Sequence, residues 1–173
     1  MIKRLRRLFK HRWLDASASR RAIPPEVAQR LRERVTASES LHSGEIRICV
    51  EAGLPLSYLW RRASTKEIIR ARALAMFGKL RVWDTANNNG VLIYLLLAEN
   101  SIELVADRGL NDRVQDQTWQ TMVSDMSVAF RAGRFEDGLA QAIDAVTDLL
   151  TLHFPLTAGE SNPNELPDAP VLN

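Results

Sequence analysis

Apolar residues recur along the chain with changing period, and each change of period marks a new element. Ile2, Leu5, Phe9 and Trp13 are spaced as on one helical face, with Lys and Arg filling the rest. This predicts a short basic amphipathic helix. Residues 16–22 (ASASRRA) read as a small polar linker. Pro24-Pro25 opens a helix over about 26–40, with Val27, Leu31 and Val35 on one stripe. Proline suits a first helical turn, where its missing N–H goes unused. Residues 45–51 alternate: Ile46, Ile48 and Val50 point one way, Arg47 and Cys49 the other. That predicts a half-buried strand. Gly53 and Pro55 mark a loop. Ser64 with Glu67 predicts a capping box, and Leu74 and Phe77 continue that helix's apolar face to Gly78. Residues 91–98 are apolar without alternation, as in a strand covered on both faces. A turn at Glu99-Asn100 returns the chain as a strand over 101–106. Helices follow over about 112–132 and 135–153, stopped by Gly133 and Pro155. Residues 156–173 hold three prolines and few large apolar groups, which predicts a disordered tail.

A helix joins the first two strands, so these should be parallel with a right-handed crossover. The second and third form an antiparallel hairpin. The expected fold is α/β: a three-layer α/β/α sandwich with a short mixed sheet, central strand 91–98 and a hairpin to 101–106. Residues 1–22 would be an arm and linker, 23–155 the domain and 156–173 the tail. This topology gathers polar residues from three segments at one end of the sheet: His42, Ser43 and Glu45; Asp84 and Asn87–Asn89; Asp107 and Arg108.

Composition narrows the class. Of 173 residues, 46% are hydrophobic and 25% charged, which excludes gross disorder and disulfide scaffolds. The longest apolar run is far shorter than a membrane span of roughly 18 residues. No apolar h-region follows the charged start, so no signal peptide is expected. The single cysteine, Cys49, cannot make an internal disulfide, and the expected compartment is the cytoplasm. The net charge of +2 hides a gradient. Residues 1–21 carry eight Lys/Arg against one acid, while residues 99–173 carry four against thirteen.

Three blocks in order resemble the TPM-domain family. They are HSGEIRICVE at 42–51, VWDTANNNGVLIYLLLAENSIELVADRGL at 82–110, and Trp119 with FRAGRFEDGLAQAI at 130–143. The pattern Asn-Gly-Val-Leu-Ile-Tyr, a turn, then Val-Ala-Asp-Arg-Gly is the most specific part. The resemblance spans about residues 23–155 and implies an α/β/α sandwich. It also implies one of several roles: acid phosphatase activity and photosystem repair in the thylakoid lumen, an auxiliary subunit of a membrane receptor, or calcium binding. Without a leader or anchor in the sequence, the compact soluble bacterial members are the nearer likeness.

The candidate chemistry sits at the polar edge. Asp84, Asn88, Asn89 and Asp107 offer hard oxygen ligands of the kind Ca2+ or Mg2+ takes. The spacing is not an EF-hand loop, since Ala86 stands at its third position. Asn87–Asn89 equally suit a plain turn. Phosphoryl chemistry would need an activated water, with Glu45 or Asp107 as base and Arg108 holding the phosphate. No phosphatase motif supports it: six residues after Cys49 stands Pro55, not Arg. His42 reads as a capping or surface residue rather than a proton carrier, and Cys49 as core. Trp83, Trp119, Phe130 and Phe135 are expected in the core, and Trp60, beside Arg61 and Arg62, folded back onto the sheet. Expected partners are a protein and, through residues 1–21, an anionic membrane surface at the inner membrane face. Nucleic acid is not expected, because the domain shows no basic stripe. The preferred role is a binding or assembly factor that holds a divalent cation; a metal-assisted acid phosphatase is the alternative.

Overall fold

The computed structural model describes His11 and residues 16–173. The amphipathic reading of the arm rests almost wholly on residues outside that set. Chain order is α1 (Ala16–Ala22), α2 (Pro25–Glu39), β1 (Glu45–Glu51), α3 (Leu56–Leu59), α4 (Thr65–Lys79), β2 (Gly90–Leu96), a 3-10 turn (Leu97–Glu99), β3 (Ser101–Ala106), α5 (Arg108–Asn111), α6 (Asp116–Arg131), α7 (Phe135–His153) and β4 (Val171–Leu172). The strands form one sheet in the order β3-β2-β1-β4. β1 and β2 are parallel, with Glu45 opposite Gly90. β2 and β3 are antiparallel, with Val91 opposite Ala106. The α/β/α sandwich with a short mixed sheet is therefore observed.

The two faces of the sheet bury different helices. Ile46, Ile48 and Val50 of β1 join Val91, Ile93 and Leu95 of β2 in one core with Leu31 and Val35 of α2, Phe130 of α6, and Leu139, Ile143, Val146 and Leu150 of α7. Cys49, Leu92, Tyr94 and Leu96 face the other way, onto Leu59 of α3 and Ile68, Ile69, Ala73 and Met76 of α4. The capping box forms as expected: Glu67 N–H donates to Ser64 Oγ, and Ser64 N–H to the Glu67 carboxylate.

Besides the expected disorder of residues 156–173, four expectations change. Residues 16–22 are helix α1, not a linker. Strand β1 is buried along its whole length, not half-buried. Its neighbour on the second edge explains this: the segment expected to be disordered ends in β4, which pairs parallel to β1 at Cys49 and Val50. Ala52 N–H donates to Asn173 O and Asn173 N–H to Val50 O, at 3.0 and 2.9 Å. Polar contacts to distant partners, together with the buried Leu166, order the end of this segment, so hydrophobic patterning alone could not show it. The third change is at Trp60, which is 66% exposed instead of folded back. The fourth is Trp83, 49% exposed beneath the Arg81 guanidinium, while Phe130 is fully buried as expected. Trp119 and Phe135 pack partly buried against the same core.

Candidate functional site at the polar edge of the sheet

The strand directions bring the starts of β1 and β2 and the finish of β3 to one end, as the topology predicts. Two glycines fasten that end. A Cβ on Gly90 would stand 2.0 Å from the Val82 carbonyl oxygen, and one on Gly109 within 2.6 Å of the Asn87 and Asn88 carbonyls. Bare backbone lets Gly109 N–H reach Asn88 O at 2.8 Å and Asp107 N–H reach Gly90 O at 2.8 Å. The loop 82–89 is thus locked to both strands. Asn88 adopts the left-handed conformation (φ 51°) that Asn tolerates.

The four oxygen-bearing candidates divide into two pairs. Asn89 is fully buried; its Nδ2 donates to Ser43 O at 3.0 Å, and its Oδ1 is buried without a partner. Asp107 Oδ1 accepts from Arg108 N–H at 2.7 Å and caps α5, while its Oδ2 is buried without a partner. Asp84, by contrast, is exposed and ion-paired with Arg81. Asn88 Oδ1 accepts from Arg108 Nε at 3.0 Å. Two oxygens are uncommitted and two are held by arginines. Among the described residues no group of three or more His, Cys, Asp or Glu is placed to hold a metal. Any cation here would have two carboxylates at most, completed by amide oxygens.

Of the proposed acid–base residues, Asp107 keeps one unpartnered oxygen, whereas Glu45 and His42 are sealed in the interior. Glu45 is fully buried; Leu166 N–H donates to its Oε2 at 3.0 Å, and burial raises its pKa. The segment that sequence reading left disordered covers it. His42 is also fully buried: Nδ1–H donates to Gly44 O at 3.1 Å, and Nε2 lies 2.9 Å from Ser38 Oγ. Burial lowers its pKa to about 4, so the ring is neutral at pH 7. Cys49 is core, its thiol pushed up to about 12 by burial. Three residues outside the sequence-derived set complete this region. Glu39 Oε1 accepts from Ile46 N–H at 2.9 Å, with Oε2 buried and unpartnered. Arg47 donates from Nη1 to Pro167 O and Ala169 O. Asp168 accepts from Thr36 Oγ1 and Asn164 Nδ2. One signal pointed to Arg47: a charged residue inside a strand that is otherwise apolar needs buried partners.

Burial raises the Glu39 carboxyl to about 8. A raised acid pKa means the native state holds a proton that the unfolded chain releases, so stability falls as pH climbs from about 4.5 to about 8. His42 acts oppositely: its depressed pKa makes stability rise between about 4 and about 6.5. The two offset each other below pH 6.5; Glu39 continues to act above it, and the raised Glu45 and Glu103 carboxyls push in the same direction as Glu39. The melting temperature should be nearly level to about pH 6.5 and then fall to about pH 8, a loss of about 2 kcal/mol. Glu39→Gln, which keeps the acceptor for Ile46 N–H, should clearly reduce the fall. An equal decline in that variant would refute the assignment.

A family model for the TPM domain matches residues 18–149, most of the chain. The chain belongs to the TPM domain family. Its TPM domain is similar to the BA42 protein of the psychrophilic bacterium Bizionia argentinensis, an NMR structure. The two share 26% identity at a TM-score of 0.72, over 86% of this chain and 94% of that one. The N-terminal domain of a protein from P. gingivalis, also solved by NMR, shares the fold at 20% identity and a TM-score of 0.58, covering 78% of this chain and 82% of that one. No curated protein matches. Both glycines that fasten the polar edge and all four oxygen-bearing candidates lie inside the matched region. Residues 156–173, which cover Glu45, lie outside it. No helix among the described residues is long and apolar enough to cross a membrane.

Proposed function

We propose that this TPM domain is a binding module whose polar edge takes a divalent cation, calcium or magnesium, as part of docking a protein partner. The carrying observation is the pair of buried, unpartnered oxygens, Asn89 Oδ1 and Asp107 Oδ2, flanking the Gly90–Asp107 backbone contact. A buried acceptor without a donor costs about 1–3 kcal/mol, and a cation offsets that cost without needing a proton. A dehydrated cation is also smaller than a water molecule and suits crevices that water does not enter. Asp84 and Asn88 would join once released from Arg81 and Arg108, and both contacts are exposed enough to break cheaply. What the ion supplies is charge neutralisation and a fixed geometry for the loop 82–89. With two carboxylates, affinity should fall on the order of 10⁻⁴ to 10⁻³ M. The hydrolase alternative has less to work with, because Glu45 and His42 are both sealed from substrate.

Calorimetry with calcium decides the matter. The full chain should release saturable heat and melt at a higher temperature with calcium present. Asp107→Ala should do neither, and Asp84→Ala should bind more weakly. Absence of heat and of any melting shift in the full chain would remove the cation.

A further inference from the structure

The opposite end of the sheet carries a feature that the polar edge does not use. After β1 the chain turns through Gly53 and Pro55 into α3, a single helical turn. Leu56 and Trp60 stand four residues apart and therefore on one face. They are 55% and 66% exposed, while Leu59 between them is buried against the sheet. Two large apolar side chains side by side on a tight turn are costly in water. They are followed at once by Arg61 and Arg62, with Lys66 in the first turn of α4. The Arg61 guanidinium lies 4.0 Å from the centre of the Tyr58 ring. Among the described residues, three acids at this end are engaged: Glu51 with Arg72 and Tyr94, Glu67 in the capping box, and Glu99 with His11.

His11 adds an independent observation. Its side chain is buried; Nδ1 accepts from Leu54 N–H and Nε2 lies 3.0 Å from Glu99 Oε1. The chain is therefore pinned at this end, immediately after Lys3, Arg4, Arg6, Arg7 and Lys10 in the sequence. His11 thus ties a described point of the N-terminal segment to the end of the sheet that carries Leu56 and Trp60. Trp83 at the other end is different, since its neighbour Arg81 is neutralised by Asp84.

We propose that this end of the sheet, led by Leu56, Trp60, Arg61 and Arg62, docks on an anionic lipid surface. Tryptophan and leucine enter the headgroup boundary, and the arginines pair with lipid phosphates. Charge complementarity selects the occupant: cations ring an apolar tip, which suits a bilayer surface better than a nucleic acid groove. Seven residues of β1 hold the polar edge about 20 Å away, facing the opposite direction. The cation reading of that edge is independent of this one.

Co-sedimentation of the full chain with phosphatidylcholine vesicles, with and without phosphatidylglycerol, tests the proposal. The full chain should pellet with the anionic vesicles and be released by salt. A Leu56→Ser/Trp60→Ser double variant should bind about tenfold more weakly, as expected from losing two apolar side chains. Arg61→Gln/Arg62→Gln should bind severalfold more weakly, while Trp83→Ser should bind as the parent does. All five are surface substitutions, so unchanged circular dichroism serves as the folding check. Failure of the full chain to pellet would overturn the proposal. So would undiminished pelleting of the Leu56/Trp60 variant, or displacement of the vesicles by a duplex oligonucleotide.

Discussion

A chain ended after Glu165 is expected to lose roughly 3–5 kcal/mol of stability and to associate through the uncovered edge of β1. The loss is assembled from particular contacts. Leu166 is buried in the α4-side core, and burying one leucine side chain contributes about 2 kcal/mol. Its N–H is also the donor that satisfies Glu45 Oε2. The carbonyls of Pro167 and Ala169 accept from Arg47, and Asp168 ties the segment to Thr36 on α2. Two ladder bonds through Asn173 close the strand pair. Part of the loss is returned, because the Arg47 guanidinium and Glu45 carboxylate regain water when the cover is removed. A lower urea midpoint together with a concentration-dependent rise in apparent mass is the expected pair of results. A midpoint equal to that of the full chain would mean that residues 166–173 only rest on the sheet.

That segment also shows where sequence reading stops. Elements announced by period were legible: Ile46, Ile48 and Val50 alternate, Val27, Leu31 and Val35 step by four, and Ser64 with Glu67 marks a helix start. Each signal is local. Residues 166–173 are held instead by partners more than a hundred positions away, such as Arg47 and Glu45. A single sequence does not pair donors with acceptors at that distance. Even so, Glu45, Arg47 and Glu51 inside an apolar strand were a sign that something polar must cover it. The exposed Trp60 and Trp83 failed for a related reason: size and hydrophobicity say that an aromatic tends inward, not which way a loop turns it. For the polar edge, chain order brought the right segments together. It could not show that Asp84 and Asn88 face arginines while Asn89 and Asp107 keep an oxygen uncommitted.

Gly90→Ala is expected to cost about 3 kcal/mol or more, the upper end for forced overpacking. Its added methyl would stand 2.0 Å from the Val82 carbonyl oxygen, which is backbone and cannot rotate away. Either β2 leaves its register opposite Glu45, or the turn at Val82 moves. Val82 N–H is bonded to Phe77 O, and its side chain is fully buried, so the turn resists. Both routes disturb Asn89 and the Asp107 N–H to Gly90 O contact, so the variant should also lose whatever calcium response the parent has. Gly78→Ala supplies the opposite sign. Gly78 lies in α4 with nothing within 4 Å of an added Cβ, and alanine there should stabilise by about 0.5–1 kcal/mol. Measured side by side in urea, the two substitutions separate close backbone approach from helix propensity. Equal midpoints for Gly90→Ala and the parent would show that the start of β2 can give way. The polar edge would then lack the rigid backbone that the cation reading requires.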